Sequence, residues 1–199
     1  FNYTPDKTVT LQLNSSGESK ISPPNNGFIH IQTDTSSRIG YTLFKYEKNF
    51  PTIYSIEGLV KPLRYICSTA EYNALLNSET PKKSVDEFWL SKASSKERAR
   101  ELIKQYYNRV EKANKHFSSH VEGWKTDRGM ISIIYGPPTV VRKTGRSETW
   151  IYGEENNLIA LNFVFNQKDN PFSNNDYKLQ RSSTYKTSWY RAVDTWRSG

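Results

Sequence analysis

The sequence predicts an α+β fold: a long amphipathic helix and a C-terminal helix packed on a small antiparallel sheet, preceded by a partial β-sandwich-like segment. Three observations predict it. Apolar residues step by three and four over residues 95–117, at Ala99, Leu102, Ile103, Tyr106, Val110, Ala113 and Phe117. Two aromatic-rich alternating segments, 148–152 and 158–165, flank a turn-forming stretch at 153–157 and read as a hairpin. The first sixty residues alternate polar and apolar with period two.

In chain order, strand candidates lie at 8–13 (Val9, Leu11, Leu13), 28–33 and 39–46, separated by turn chemistry at 14–17 and 23–27. Three or four such strands make only part of a sandwich, so residues 1–61 read as the tail of a sandwich-like domain with an upstream half missing, and residues 62–199 as one α+β domain. Residues 62–66 read as extended. Ser68-Thr69-Ala70-Glu71 has capping-box spacing and opens a helix to about Leu76. A second short helix spans 84–90. Ser94-Ser95-Lys96-Glu97 repeats the capping spacing and starts the long helix, whose other face (Lys96, Arg100, Lys104, Asn108, Lys112, Lys115) is polar and largely basic. Residues 130–135 fit either a strand, by β-branched content, or a two-turn helix capped by Thr126 or Asp127 and stopped by Gly136-Pro137-Pro138. An edge strand at 177–180 and a helix at 184–197, with Tyr185, Trp189, Val193 and Trp196 on one side, complete the reading.

Composition narrows the function classes. The chain of 199 residues has a single cysteine, Cys67, which excludes a disulfide scaffold, and 14% aromatic residues, which argues against disorder. No stretch approaches about 18 consecutive apolar residues, so no segment reads as a transmembrane helix. The chain opens on Phe1 without an apolar leader, so targeting information is expected upstream. Residues 1–80 carry 7 basic and 7 acidic side chains, leaving the whole net charge of +8 in the remainder. That asymmetry suits either a surface for an acidic partner or a solvated face of interspersed charges. Zinc spacing, RNP-like segments and basic blocks are all lacking, so no nucleic-acid partner is expected.

The candidate site is the run Gly123, Trp124, Lys125, Thr126, Asp127, Arg128 and Gly129. Arg128 offers a planar fork for an anion and Trp124 a stacking face, which together would make a ligand clamp. The same residues also make a folding motif: Gly123 for a tight turn, Trp124 as a plug beneath the long helix, Thr126 or Asp127 as a cap, and Arg128 paired with Asp127 or Glu148. His116 and His120 are four apart, but no glutamate follows His116, so the zinc-hydrolase pattern is absent and no metal is expected. Ser118, Ser119, His120 and Asp127 contain triad residue types without a nucleophile elbow. His30 reads as an outward polar residue on its strand. Trp150, Tyr152, Phe163 and Phe165 alternate, so one hairpin face is aromatic and reads as core. With no complete catalytic constellation, neither an enzyme nor a cofactor is expected.

Gly123-Trp124-Lys125-Thr126-Asp127 resembles the motif that gives the GWxTD domain family its name. Arg109-Val110, Ala113-Asn114, Phe117, Arg128-Gly129, Tyr135 to Pro138, Glu148-x-Trp150-x-Tyr152, Phe163-x-Phe165, Tyr185, Trp189-Tyr190, Val193 and Trp196-Arg197-x-Gly199 follow in the family's order, over roughly residues 60–199. The resemblance implies an exported cell-envelope protein of Bacteroidota-type bacteria, often lipid-anchored and located in the periplasm or outer membrane. The family has no established activity, so the resemblance supplies no catalytic residues. Residues 126–166 are also similar to the BamE/SmpA class of small outer-membrane lipoproteins, which support a barrel assembly; this favours the helical reading of 130–135. The expected function is a non-enzymatic interaction or scaffolding subunit of an outer-membrane-associated complex. Its partners would be other envelope proteins, such as a barrel assembly or secretion complex, with membrane contact only through an upstream lipid anchor. The alternative is an envelope glycan or peptide binder, or a hydrolase, using Trp124, Asp127 and Arg128.

Overall fold

The computed structural model describes residues 4–22, 27–154 and 160–199. The fold is α+β. Strands β1 (Gly27–Ile31) and β2 (Tyr41–Lys45) form an antiparallel pair. Helices α1 (Ile56–Val60), α2 (Thr69–Leu76), α3 (Pro81–Lys92) and α4 (Lys96–Phe117) follow, then α5 (Asp127–Tyr135). Strands β3 (Val140–Thr144), β4 (Ser147–Tyr152), β5 (Leu161–Gln167) and β6 (Tyr177–Leu179) form an antiparallel sheet in that order, and α6 (Tyr185–Arg197) ends the chain.

Local chemistry sets the helix boundaries. Ser68 and Glu71 make the reciprocal capping box, and Ser95 caps α4 by accepting from the Arg98 amide at 3.1 Å. The apolar stripe of α4 buries Ala99, Leu102, Tyr106, Val110 and Ala113 against α1, α3, α5 and α6. Two neighbouring tyrosines on this stripe keep their hydroxyls satisfied: Tyr106 donates to the Pro62 carbonyl at 2.6 Å and Tyr107 to the Leu59 carbonyl at 2.7 Å. Around Trp89, the rings of Tyr106, Tyr107 and Trp196 meet edge to face.

The C-terminus is tied back electrostatically. Arg197 places a fork on the Glu71 carboxylate (2.7 and 3.1 Å) and also reaches the Ile66 carbonyl, while Lys92 pairs with Glu71 from α3 at 2.7 Å. The Arg197 fork, helped by Lys92 and Ser68 and opposed by partial burial, holds the Glu71 carboxyl far below the usual carboxylate range. A depressed folded-state pKa contributes stability above the unfolded value, about 4.3, and loses it as pH falls. Wild type should therefore melt above Glu71→Gln at neutral pH, and the gap should close progressively below about pH 5 in a series of thermal melts.

Several elements differ from the sequence reading. Residues 8–13 form no strand: Val9 and Leu13 are exposed, and alternation without a surface to cover does not make a sheet. The first β layer is thus one two-stranded pair. In it Phe28, His30, Thr42 and Phe44 face the body, so His30 points inward, contacting Thr42 Oγ1 at 2.8 Å and the Phe172 ring at 5.0 Å. The expected extended piece at 62–66 is a 3₁₀ turn, Lys61–Tyr65, with Pro62 in its first turn. Residues 130–135 are helical, and β3, unmarked by alternation, was not anticipated. The turns expected at 23–27 and 153–157, and the start of the 158–165 strand, fall largely outside the described residues. Finally, α5 lies between α4 and the sheet: Ile133 and Ile134 face the helices, while Ile131 joins Trp150, Phe163, Phe165 and Leu179. Among the described residues, Phe117 at the end of α4 is the ring of that helix that touches a sheet ring, with its centroid 5.2 Å from that of Trp150.

Candidate functional site

The run 123–129 sits where α4, α5 and the sheet meet. After Phe117 the chain must reverse, and Ser118 and Asn114 hold the reversal. Ser118 Oγ donates to the Asn114 carbonyl (2.6 Å) and accepts from the Gly123 amide (2.8 Å). Asn114 Oδ1 accepts from the Trp124 amide (3.1 Å), and its Nδ2 donates to the Pro51 carbonyl (3.2 Å), tying the segment before α1 to the turn. Gly123 lies directly on the backbone of α4: a Cβ there would stand 1.9 Å from the Ala113 oxygen. Gly129 faces Gly123 as closely, its virtual Cβ 1.9 Å from the Gly123 oxygen. Only glycine fits either place.

Trp124 is buried, its ring edge-on to Tyr65, whose hydroxyl donates to the Trp124 carbonyl at 2.7 Å. Lys125 is exposed, pairs with Glu122 at 2.6 Å and lies over the Trp124 ring. Thr126 is the N-cap of α5: its hydroxyl accepts from the Gly129 amide (3.1 Å) and donates to the Gly123 carbonyl (2.8 Å). Thr126→Ala should therefore cost about 1–2 kcal/mol in a denaturant melt, and Thr126→Ser should recover most of it.

Asp127 reaches away from the turn. Its carboxylate accepts from the Leu179 amide at 2.8 Å and pairs with Arg181 at 2.7 Å, binding β6 to the first turn of α5. Arg128 runs inward to a buried pair with Glu148 on β4 at 3.3 Å. Its other nitrogen donates to the Asn175 carbonyl at 2.9 Å and to the Asn175 side chain. Rings of Tyr177 and Phe117 sandwich the guanidinium, at 4.0 and 5.3 Å from their centroids. Burial works against the charged form of Arg128 and lowers its pKa despite Glu148. Burial also opposes the charge on Glu148, but Arg128, Lys143 and the Trp150 indole outweigh it, so the carboxyl lies below its usual range. Of the two partners foreseen for Arg128, the structure selects Glu148.

Arg109, Asn114, Asn175 and Tyr177 also belong to this site, and the sequence reading gave them no role in it. Arg109 donates to the last carbonyls of α5, Ile133 and Ile134, both at 3.0 Å, placing a cation at that helix's negative end. A signal existed for Asn114, a polar residue one turn after Val110 on the apolar stripe. None existed for Asn175, which lies in an irregular segment.

The remaining candidates do not assemble. His116 is exposed on the last turn of α4, whereas His120 lies beyond the helix with its Nδ1 3.0 Å from Asn170, so the two share no helical face. Ser119 approaches the same Nδ1 at 3.3 Å, while Asp127 is engaged with β6. Among the described residues no group of three or more His, Cys, Asp or Glu is placed to hold a metal ion. Burial pushes the Cys67 thiol up to about 12, which keeps it protonated at neutral pH. Beside Trp124, a cavity of about 60 Å³ opens against Phe50, Ile53 and Val110.

The family profile described as the GWxTD domain matches residues 27–198, starting at β1 and ending one residue after α6. No curated protein and no solved structure matches the chain.

Proposed function

The chain belongs to the GWxTD domain family, and from that premise we propose that it is a non-enzymatic interaction subunit of an exported cell-envelope assembly. In this reading the protein resides in the periplasm or at the outer membrane of a Bacteroidota-type bacterium, and an upstream lipid anchor supplies any membrane contact. Its partners are other envelope proteins of a barrel-assembly or secretion complex, in keeping with the local likeness of 126–166 to BamE/SmpA lipoproteins.

The observation that carries the proposal is the outward face of the β1–β2 pair. Tyr41 and Leu43 are 67% and 43% exposed, and Ile31 and Ile29 stand opposite them on the same face, while Ile39, just before β2, is 85% exposed. A two-stranded pair with apolar residues on both faces is half of a layer, and the occupant that fits the open side is an apolar strand or sheet of another protein. The alternative, a glycan or peptide site or hydrolase built on Trp124, Asp127 and Arg128, has less support, because both charged groups are engaged within the chain.

Affinity capture from gently solubilised envelope extract tests the proposal. The expected result is a defined partner with wild type that is lost with Tyr41→Glu/Leu43→Glu at an unchanged melting temperature. Recovery of the protein alone, or of the same partner with both forms, would overturn it.

A further inference from the structure

The irregular segment between β5 and β6 belongs to a polar cluster whose hydrogen-bond directions follow from its geometry. Ser119, Asn170 and Asp176 are buried, and His120 lies against all three. Asn170 Oδ1 accepts from the Phe172 amide at 2.9 Å, and its Nδ2 donates to Asp176 Oδ2 at 3.0 Å. Those two bonds fix which way the amide points. The same Nδ2 stands 3.0 Å from His120 Nδ1, and the Ser119 hydroxyl approaches that nitrogen at 3.3 Å. An amide nitrogen only donates, so Nδ1 must accept, and His120 is the neutral ring with its proton on Nε2. Burial lowers the His120 pKa, Asp176 opposes that effect, and Lys178 adds to it.

A proton on Nδ1 would face the Asn170 donor. The group that would draw it is Asp176 Oδ2, 4.0 Å away, which Asn170 already holds. The charged ring and the amide therefore compete for one carboxylate. The neighbouring groups do not relieve this. Lys178 carries like charge, Glu122 is paired with Lys125, and the Tyr46 hydroxyl donates to the Ser119 carbonyl at 2.8 Å.

Asn170 also holds Phe172 in place. That ring packs on the β1–β2 pair, its centroid 4.7 Å from that of Phe28 and 5.0 Å from that of His30. His30, the other titratable ring at this contact, spends Nδ1 on Thr42. Its Nε2 is sealed from solvent under Gly40, where a Cβ would stand 2.6 Å away. The side chain of His120 is 21% exposed, so it is the ring that solvent protons reach while the contact is closed.

We propose that residues 170–176 form a pH-operated latch: neutral His120 keeps Phe172 seated on the β1–β2 pair, and protonated His120 takes Asp176 from Asn170 and unseats it. Tyr46, just after β2, keeps its bond to Ser119, so the pair loosens at the Phe28 and His30 side and is not shed. The latch rests on contacts within the chain and is independent of the envelope role.

The test is an NMR pH series on the whole chain. At neutral pH, long-range proton–nitrogen correlations should show His120 protonated on Nε2. From about pH 8 to about pH 5, the ring resonances of Phe172 and Phe28 should move with the midpoint of His120, while the Trp89 indole in the helical core stays in place. His120→Gln, whose amide oxygen still accepts from Asn170, should abolish that movement, and His30→Gln should retain it. The Tm of wild type should also fall faster than that of His120→Gln as pH drops below about 6.5. An Nδ1-protonated His120 at neutral pH would overturn the latch, as would Phe172 and Phe28 rings that do not follow His120. Movement that survives in His120→Gln would do the same by placing the response at His30. The proton position and the shared midpoint are read on wild type, so they decide the matter even if a variant fails to fold.

Discussion

Gly123→Ala should be the most damaging small substitution in the protein. The added methyl would meet the Ala113 oxygen at 1.9 Å, its carbonyl carbon at 2.5 Å and the Asn114 Cα at 2.8 Å. All three are backbone atoms of α4, whose buried stripe fixes its position, so no side-chain rotation relieves the contact. The turn has to move off the helix, which breaks the Asn114–Trp124 and Ser118–Gly123 bonds as well. Overpacking of side chains costs about 1–3 kcal/mol, and a backbone collision belongs above that range. For a domain of this size, a loss of about 3 kcal/mol lowers Tm by roughly 6–12 °C, readily seen by thermal circular dichroism. Gly129→Ala should behave alike, since it presses on the carbonyl of Gly123 itself. Gly58→Ala is the control: its methyl would touch only the side chains of Ile53 and Ser55, at 3.1 and 3.2 Å, which can yield. A Gly123→Ala protein melting within about 2 °C of wild type would mean that the turn does not brace the helix.

These close approaches explain why the fold was partly legible in the sequence. Whatever depends on neighbours three or four residues away could be read directly: the Ser68–Glu71 box, the Ser95 cap, the α4 stripe and the Thr126 cap of α5. Pairings across the chain could not. Asp127 finds the Leu179 amide and Arg181 more than fifty positions on, through a register set only when β6 docks. The two-residue turn after β3 carries Gly145 with φ of 51°, but the strand before it lacks alternation because most of its residues are exposed. In the N-terminal stretch the reverse holds: alternation at 8–13 is visible, and no surface within the described chain receives it. Periodicity reports which side chains want burial, whereas the tertiary contacts decide which obtain it.

Arg128 separates the two readings of the motif by energy. If its guanidinium served to bind a ligand, Arg128→Met would remove binding and leave the fold nearly as stable, because an exposed cation contributes little. The residue is instead 4% exposed and its partner Glu148 is 5% exposed. Removing the cation leaves Glu148 with the Trp150 indole at 3.2 Å and the end of Lys143 at 3.2 Å, a side chain 73% exposed. Breaking a buried pair by removing one partner costs about 3–5 kcal/mol, and the exposed Lys143 chain and the indole offset only part of it, so Arg128→Met should melt well below wild type. Glu148→Gln in the same background should recover part of that loss, making the pair non-additive in a double-mutant cycle. The pH dependence supplies an independent sign. In wild type the Glu148 carboxyl is held below its ordinary value, so its contribution is present above about pH 4.3 and fades on acidification. Without Arg128 a main influence holding the carboxyl down is gone while burial still pushes it up, so it is protonated more readily than in wild type and the variant loses less stability on acidification. The deficit between Arg128→Met and wild type should therefore shrink from pH 7 towards pH 4. A deficit that stays constant over that interval would place the cost in lost packing against Tyr177 and Phe117 instead of in the unpaired charge.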